Sequence, residues 1–122
     1  MIGYVCIGTN NLEKATGFYD QLLGILGAKQ TYKGERGIGW GTAPDKPMLT
    51  VLKPFDGKAA SVGNGTMISL AAANPDQVKA LHAKCIALGG TCEGAPGDRG
   101  GGFYGAYFRD LDGNKLGAYC MT

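Results

Sequence analysis

The chain has 122 residues and a net charge of +2, with 44% hydrophobic and 18% charged residues, a balance that supports a hydrophobic core and excludes a disordered chain. No apolar run approaches the ~18 residues of a membrane span, and the charge is too weak and too evenly spread to draw in nucleic acid or a membrane surface. A small molecule or another protein is the expected partner. In chain order, residues 2–8 form a strand-like run. Asn10-Asn11-Leu12-Glu13 then sets a capping Asn three residues ahead of a Glu, and Leu12, Ala15, Phe18, Tyr19, Leu22, Leu23 and Leu26 recur at helical spacing as far as Gly27. Strand-like runs follow at 29–33, 38–42 and 48–53, and turn formers fill the stretch from Pro54 to Gly65. A further run at 66–72 leads to Asn74-Pro75-Asp76-Gln77, a second cap with Pro at the first helical position. Val78, Leu81, Cys85 and Leu88 carry that helix to Gly89-Gly90, and runs at 91–93, 103–109 and 115–121 complete the chain.

The pattern is βαβββ twice, an α+β arrangement. It predicts a single domain over 1–122, with module one at 1–55, a connector at 56–65 and module two at 66–122. Asp110-Leu111-Asp112-Gly113-Asn114 reads as a hairpin whose two central residues tolerate positive φ. It is not a calcium loop, because Lys115 and Met121 stand where an EF-hand needs Gly and Glu. The 22 glycines are far above the usual ~7% and imply turns and close backbone approaches. In Gly37-Ile38-Gly39-Trp40-Gly41-Thr42 one strand face is bare, awaiting a helix, a partner subunit or a ligand, and Trp40 belongs either to a pocket wall or to the core. The stretch runs on into Ala43-Pro44 rather than a helix, so it is no dinucleotide fingerprint. Residues 94–105 lack the GK[ST] of a phosphate loop and are expected to form a mobile loop, where Arg99 and Arg36 either meet an anionic group or stay solvated. Cys6, Cys85, Cys92 and Cys120 make no CxxC pair and are read as small buried hydrophobes. The N-terminus lacks the basic and apolar regions of a signal peptide, which predicts a cytoplasmic protein.

Asn-Leu-Glu-Lys-Ala-Thr-Gly-Phe-Tyr at 11–19 and Phe-Arg-Asp-Leu-Asp-Gly-Asn-Lys-Leu at 108–116, set in a duplicated βαβββ, resemble the vicinal oxygen chelate superfamily of glyoxalases, bleomycin resistance proteins and extradiol dioxygenases. The likeness runs from Tyr4 to Tyr119. It implies a cup-shaped mixed β-sheet with the helices outside, and a homodimer with its binding cups near or across the interface. It also implies a divalent ion held by His and Glu from the first strand of each module and from the last strand, where a Glu follows the Asp-Gly-Asn hairpin. Alignment through the helix caps and the hairpin puts Tyr4, Met67 and Gly117 at those positions. None of them is a plausible ligand for zinc, nickel or magnesium. The only histidine, His82, lies within the second helix and is read as structural.

Strand alternation turns Tyr4, Cys6 and Gly8 inward, and likewise Met67, Ser69 and Ala71, and Lys115, Gly117 and Tyr119. Tyr107 shares a face with Arg109, which is expected to pair with a carboxylate. With Trp40 and Arg99 these residues outline an apolar pocket with a few polar handles. The expectation is a metal-free protein without cofactor that binds a small neutral or anionic molecule. Tyr4 and Cys6 are the weak candidates for acid or nucleophile, because no base is in sight to activate them. The alternative is a zinc- or nickel-dependent lactoylglutathione lyase-like or dioxygenase-like enzyme. A predicted lining without carboxylates does not suit a cationic drug.

Overall fold

The same local signals occur in each half of the chain, and each half builds the same parts. The computed structural model describes Met1–Thr122 and divides into two units, Met1–Ser61 and Val62–Thr122. Unit one runs β1 (Tyr4–Gly8), α1 (Leu12–Gly24), β2 (Lys29–Lys33), β3 (Gly37–Gly41) and β4 (Met48–Leu52). Unit two runs β5 (Ile68–Ala71), α2 (Pro75–Ala87), β6 (Thr91–Asp98), β7 (Phe103–Arg109) and β8 (Lys115–Met121). Each unit holds one open four-stranded sheet, in the orders β1-β4-β3-β2 and β5-β8-β7-β6. The first and last strands of a unit pair in parallel and the other neighbours are antiparallel, so both sheets are mixed.

Both helices begin at an Asn. In α1 the cap is Asn11, whose side chain accepts from Lys14 N at 3.1 Å, one residue later than the sequence pattern suggested. Asn10 is used differently: its Oδ1 accepts from Ala60 N at 2.7 Å. In α2 Asn74 accepts from Gln77 N at 2.9 Å, and Gln77 Oε1 reaches back to Ala73 N at 2.7 Å, a reciprocal cap. The helices stop at Gly24 and Ala87, somewhat before the glycines expected to end them.

One face of each sheet is covered by its helix. α1 buries Ala15, Phe18, Tyr19, Leu22 and Leu23, and the sheet below contributes Ile7, Ile38, Trp40, Leu49 and Val51. In unit two Val78, Leu81 and Cys85 meet a sheet face of Ala106, Phe108, Leu116, Ala118 and Cys120. Each large side chain so buried contributes roughly 1.5–3 kcal/mol, which makes these two helix faces the main source of stability.

Three expectations need correction. The segment expected to be mobile is strand as far as Asp98: Gly97 pairs with Gly105 and Asp98 with Tyr104, with register shifts on either side of Gly94. The glycines there permit bulges within a strand. In the 110–114 hairpin only Gly113 has positive φ, at 85°, and Asp112 does not share it. The Asp110 carboxylate shapes the turn instead, accepting from Asp112 N at 2.9 Å, Asn114 N at 2.8 Å and Asn114 Nδ2 at 3.0 Å. Of the cysteines, Cys85 and Cys120 are buried but Cys6 and Cys92 are exposed. No helix is long and apolar enough to cross a membrane.

Candidate functional site

The face of each sheet turned away from its helix carries most of the residues singled out from the sequence. In unit one the parallel register sets Tyr4 beside Met48, Cys6 beside Thr50 and Gly8 beside Leu52. Partners in a ladder share a face, so these side chains lie together opposite the buried Ile7. Tyr4, Cys6, Met48, Thr50 and Leu52 line, with Tyr32 and Arg36, a hollow of about 370 Å³, the volume of a small-molecule pocket. A wider hollow of about 800 Å³ shares Tyr32 and Met48 with it and carries Lys29 and Lys46 on its wall.

The bare strand face is explained by the sheet itself. A Cβ on Gly39 would lie 3.1 Å from Met48 Sδ, 3.2 Å from Thr50 Oγ1 and 3.3 Å from Tyr32 Cβ, so side chains from the two flanking strands lean over the glycine. Trp40 points the other way. It is 2% exposed, its indole N–H donates to Asp20 Oδ1 at 2.8 Å, and its ring lies 5.7 Å from that of Tyr19. Trp40 is therefore a core residue on the helix side, and the ligand-binding position considered for it is withdrawn.

In unit two Ser69 pairs with Gly117 and Ala71 with Tyr119, and Gly117 is flanked on its other side by Tyr107. Lys115 Nζ and the Arg99 guanidinium each sit over the Tyr107 ring, at 5.7 and 5.5 Å from its centre. Phe103 stacks on Tyr119 with ring centres 5.3 Å apart. Arg99, just beyond β6, also donates to Ala95 O at 2.7 Å, so it is tied back to that strand. Arg109 forms the expected ion pair, with Glu93, and donates as well to Gly113 O at 3.0 Å. That pairing, chiefly its hydrogen bond, holds the Glu93 carboxyl below its ordinary pKa.

The residues that the resemblance sets at the metal positions, Tyr4, Met67 and Gly117, do not suit a metal. Tyr4 is 64% exposed on β1, and Met67, just ahead of β5, is 43% exposed. Gly117 offers no donor, and a Cβ built on it would lie 3.0 Å from Ser69 Oγ and 3.3 Å from Tyr107 Cδ1, so a longer side chain has no ready space. A phenol, a thioether and a glycine do not make a donor set for zinc or nickel. His82 is elsewhere: its Nε2 lies 3.2 Å from Cys92 Sγ and its ring is edge-on to Phe108, where burial lowers its pKa. Nearby Cys85 is pushed up to about 12 by burial, aided by the charges of Asp110 and Cys92.

Thr50, Tyr32, Met48 and Leu52 were missed as pocket residues. Extending the alternation from Tyr4 across the β1–β4 ladder would have found three of them, given the register that only the folded sheet supplies.

Two βαβββ units, each with a packed helix side and an open sheet face lined by aromatic, sulfur and hydroxyl groups, define the fold class. The chain belongs to the glyoxalase/bleomycin resistance protein/dioxygenase superfamily, whose family model matches residues 1–117. It is similar to a glyoxalase/bleomycin resistance protein from Albidiferax ferrireducens T118, with 36% identity, a TM-score of 0.91 and coverage of 100% of this chain and 99% of that one. Two further structures share the fold at 18% identity. One is a glyoxalase/bleomycin resistance protein/dioxygenase family enzyme from Burkholderia phytofirmans PsJN, with a TM-score of 0.78 over 98% of both chains. The other is a lactoylglutathione lyase from Agrobacterium tumefaciens, with a TM-score of 0.72 over 98% of this chain and 92% of that one. No curated protein matches the chain.

Proposed function

We propose that this chain is a metal-free member of its superfamily that binds a small neutral or anionic organic molecule on the open faces of its sheets, as a cytoplasmic homodimer. The observation that carries the reading is Gly117: where the family places a carboxylate, this chain has no donor, and Ser69 and Tyr107 crowd the position. Tyr4, Cys6, Ser69, Tyr107 and Tyr119 supply apolar surface with a few polar handles, and Lys29, Arg36, Lys46, Arg99 and Lys115 favour an anion over a cation. Cys6 and Tyr4 are binding groups in this reading. The other ionisable side chains of their hollow are Tyr32 and Arg36, neither a base suited to activating a thiol or phenol.

Two measurements test it. Metal analysis of protein purified without chelators is expected to find no stoichiometric zinc, nickel or iron, and finding one would reject the reading in favour of a metal-dependent enzyme. A thermal-shift screen of small acids, aromatics and thiol conjugates is expected to raise Tm for a restricted set, by mass action. Tyr4→Phe should weaken the best hit; an unchanged affinity removes Tyr4 from the site. Sedimentation of the purified chain tests the dimer.

A further inference from the structure

Cys92 pairs with Phe108 across the β6–β7 ladder, so its side chain is on the helix side of its sheet, away from the open face. β6 is the edge strand, and there Cys92 is exposed while Phe108 beside it is buried. His82 of α2 sets its Nε2 3.2 Å from Cys92 Sγ in a contact open to solvent, and its ring is edge-on to Phe108 with centres 6.2 Å apart. With the ring proton on Nδ1, the neutral imidazole accepts the thiol proton at Nε2. Burial lowers the His82 pKa and so keeps the ring neutral at pH 7. The other cysteines lack this arrangement. Cys85 and Cys120 are buried, and Cys85 Sγ donates to Arg109 O at 3.3 Å. Cys6 is exposed like Cys92, but the ionisable side chains of its hollow are Tyr4, Tyr32 and Arg36, none of them a suitable base.

We infer that Cys92 and His82 form a nucleophile–base pair that makes Cys92 the site of oxidation by hydrogen peroxide. As the Cys92 sulfur attacks one peroxide oxygen, its proton passes to His82 Nε2 and the O–O bond breaks. Sulfur gives up two electrons and becomes a sulfenic acid, while the departing oxygen takes the proton from His82 and leaves as water. A peroxide suits the pair because one imidazole serves both ends of the reaction, taking the thiol proton and returning it to the leaving oxygen. Cys85 does not carry the product on to a disulfide: burial pushes its pKa up to about 12 and its thiol is engaged with Arg109 O.

The test treats the full chain with hydrogen peroxide at pH 7, traps sulfenic acid with dimedone and follows each cysteine by peptide mass spectrometry. An unassisted thiol is only a few per cent thiolate at that pH, so Cys92 is expected to be labelled about tenfold faster than Cys6. In denaturing urea the two should be labelled at similar rates, because the pair exists only in the fold. His82→Gln should bring Cys92 down to the rate of Cys6 and leave Cys6 unchanged. Cys85 and Cys120 report on that variant: they stay unlabelled while it is folded, and if they are labelled the wild-type comparison with and without urea decides. Equal labelling of Cys92 and Cys6 in native wild type overturns the inference with no variant needed. A preference that survives urea, or the loss of His82 in a folded variant, also overturns it, since the imidazole would then not set the rate. A Cys85–Cys92 disulfide as the product overturns the sulfenic end point.

Discussion

The two sheets share a topology but treat their open faces differently. In unit one the tyrosine stands on the edge strand, Tyr32 of β2, and pairs with Gly39 of β3, which in turn pairs with Thr50 of β4. In unit two the order is exchanged: the edge strand β6 supplies Gly94, and Tyr107 on β7 stands between it and Gly117 of β8. A Cβ on Gly94 would lie 3.0 Å from the Tyr107 ring, and one on Gly117 would lie 3.3 Å from it. One ring thus covers both glycines and is flanked by two cations. With its ring at the edge, unit one keeps a hollow over Thr50.

The helix sides offer the strongest way to probe this parallel. Phe108 in unit two and Trp40 in unit one occupy corresponding positions one residue beyond the tyrosine or glycine, and both are essentially buried. Phe108→Ala should cost about 3–5 kcal/mol in denaturant unfolding, through lost transfer energy and the cavity left behind. Gly39→Ala comes next. It forces a methyl against Met48, Thr50 and Tyr32 and should cost about 1–3 kcal/mol while shrinking the hollow; an unchanged midpoint would mean those side chains move aside freely.

Trp40→Phe should cost about 1 kcal/mol, because the ring volume is largely kept and the exposed Asp20 regains water when the indole N–H is lost. A loss as large as that of Phe108→Ala would show that the indole bond, rather than burial, anchors unit one.

The smallest effects concern pH and belong to unit two. Burial depresses the pKa of His82 below its ordinary 6.5, so the unfolded chain binds the proton more readily. The His82 contribution is complete above pH 6.5 and is lost as pH falls from there toward the folded pKa. Glu93 is depressed below 4.5 by Arg109, so its contribution is present above pH 4.5 and is lost as pH falls through the folded value. Stability measured against pH should lose the first slope in His82→Gln and the second in Glu93→Gln. Unaltered profiles would show that neither group is linked to folding.

Part of the site was legible beforehand. Once Tyr4 was placed on a strand, period-two alternation put Cys6 on its face, and the same rule put Ser69 with Met67 and Tyr119 with Gly117. Trp40 was ambiguous because a strand next to glycines has two chemically plausible faces, and only the packing of Tyr19 and the acceptor on Asp20 selects one. Residues 94–98 looked like a loop because glycine and proline dominate them, yet pairing with Phe103–Arg109 overrides that propensity.

The sequence by itself determined the repeat, the two helices and the Asn74 cap of the second, because each depends on residue type and short-range spacing. Tertiary structure alone decided the strand register that brings Thr50 beside Cys6, the exchanged places of tyrosine and glycine, and the meeting of His82 with Cys92. Those features arise between segments distant along the chain, where local propensity carries no information about which side chains will meet.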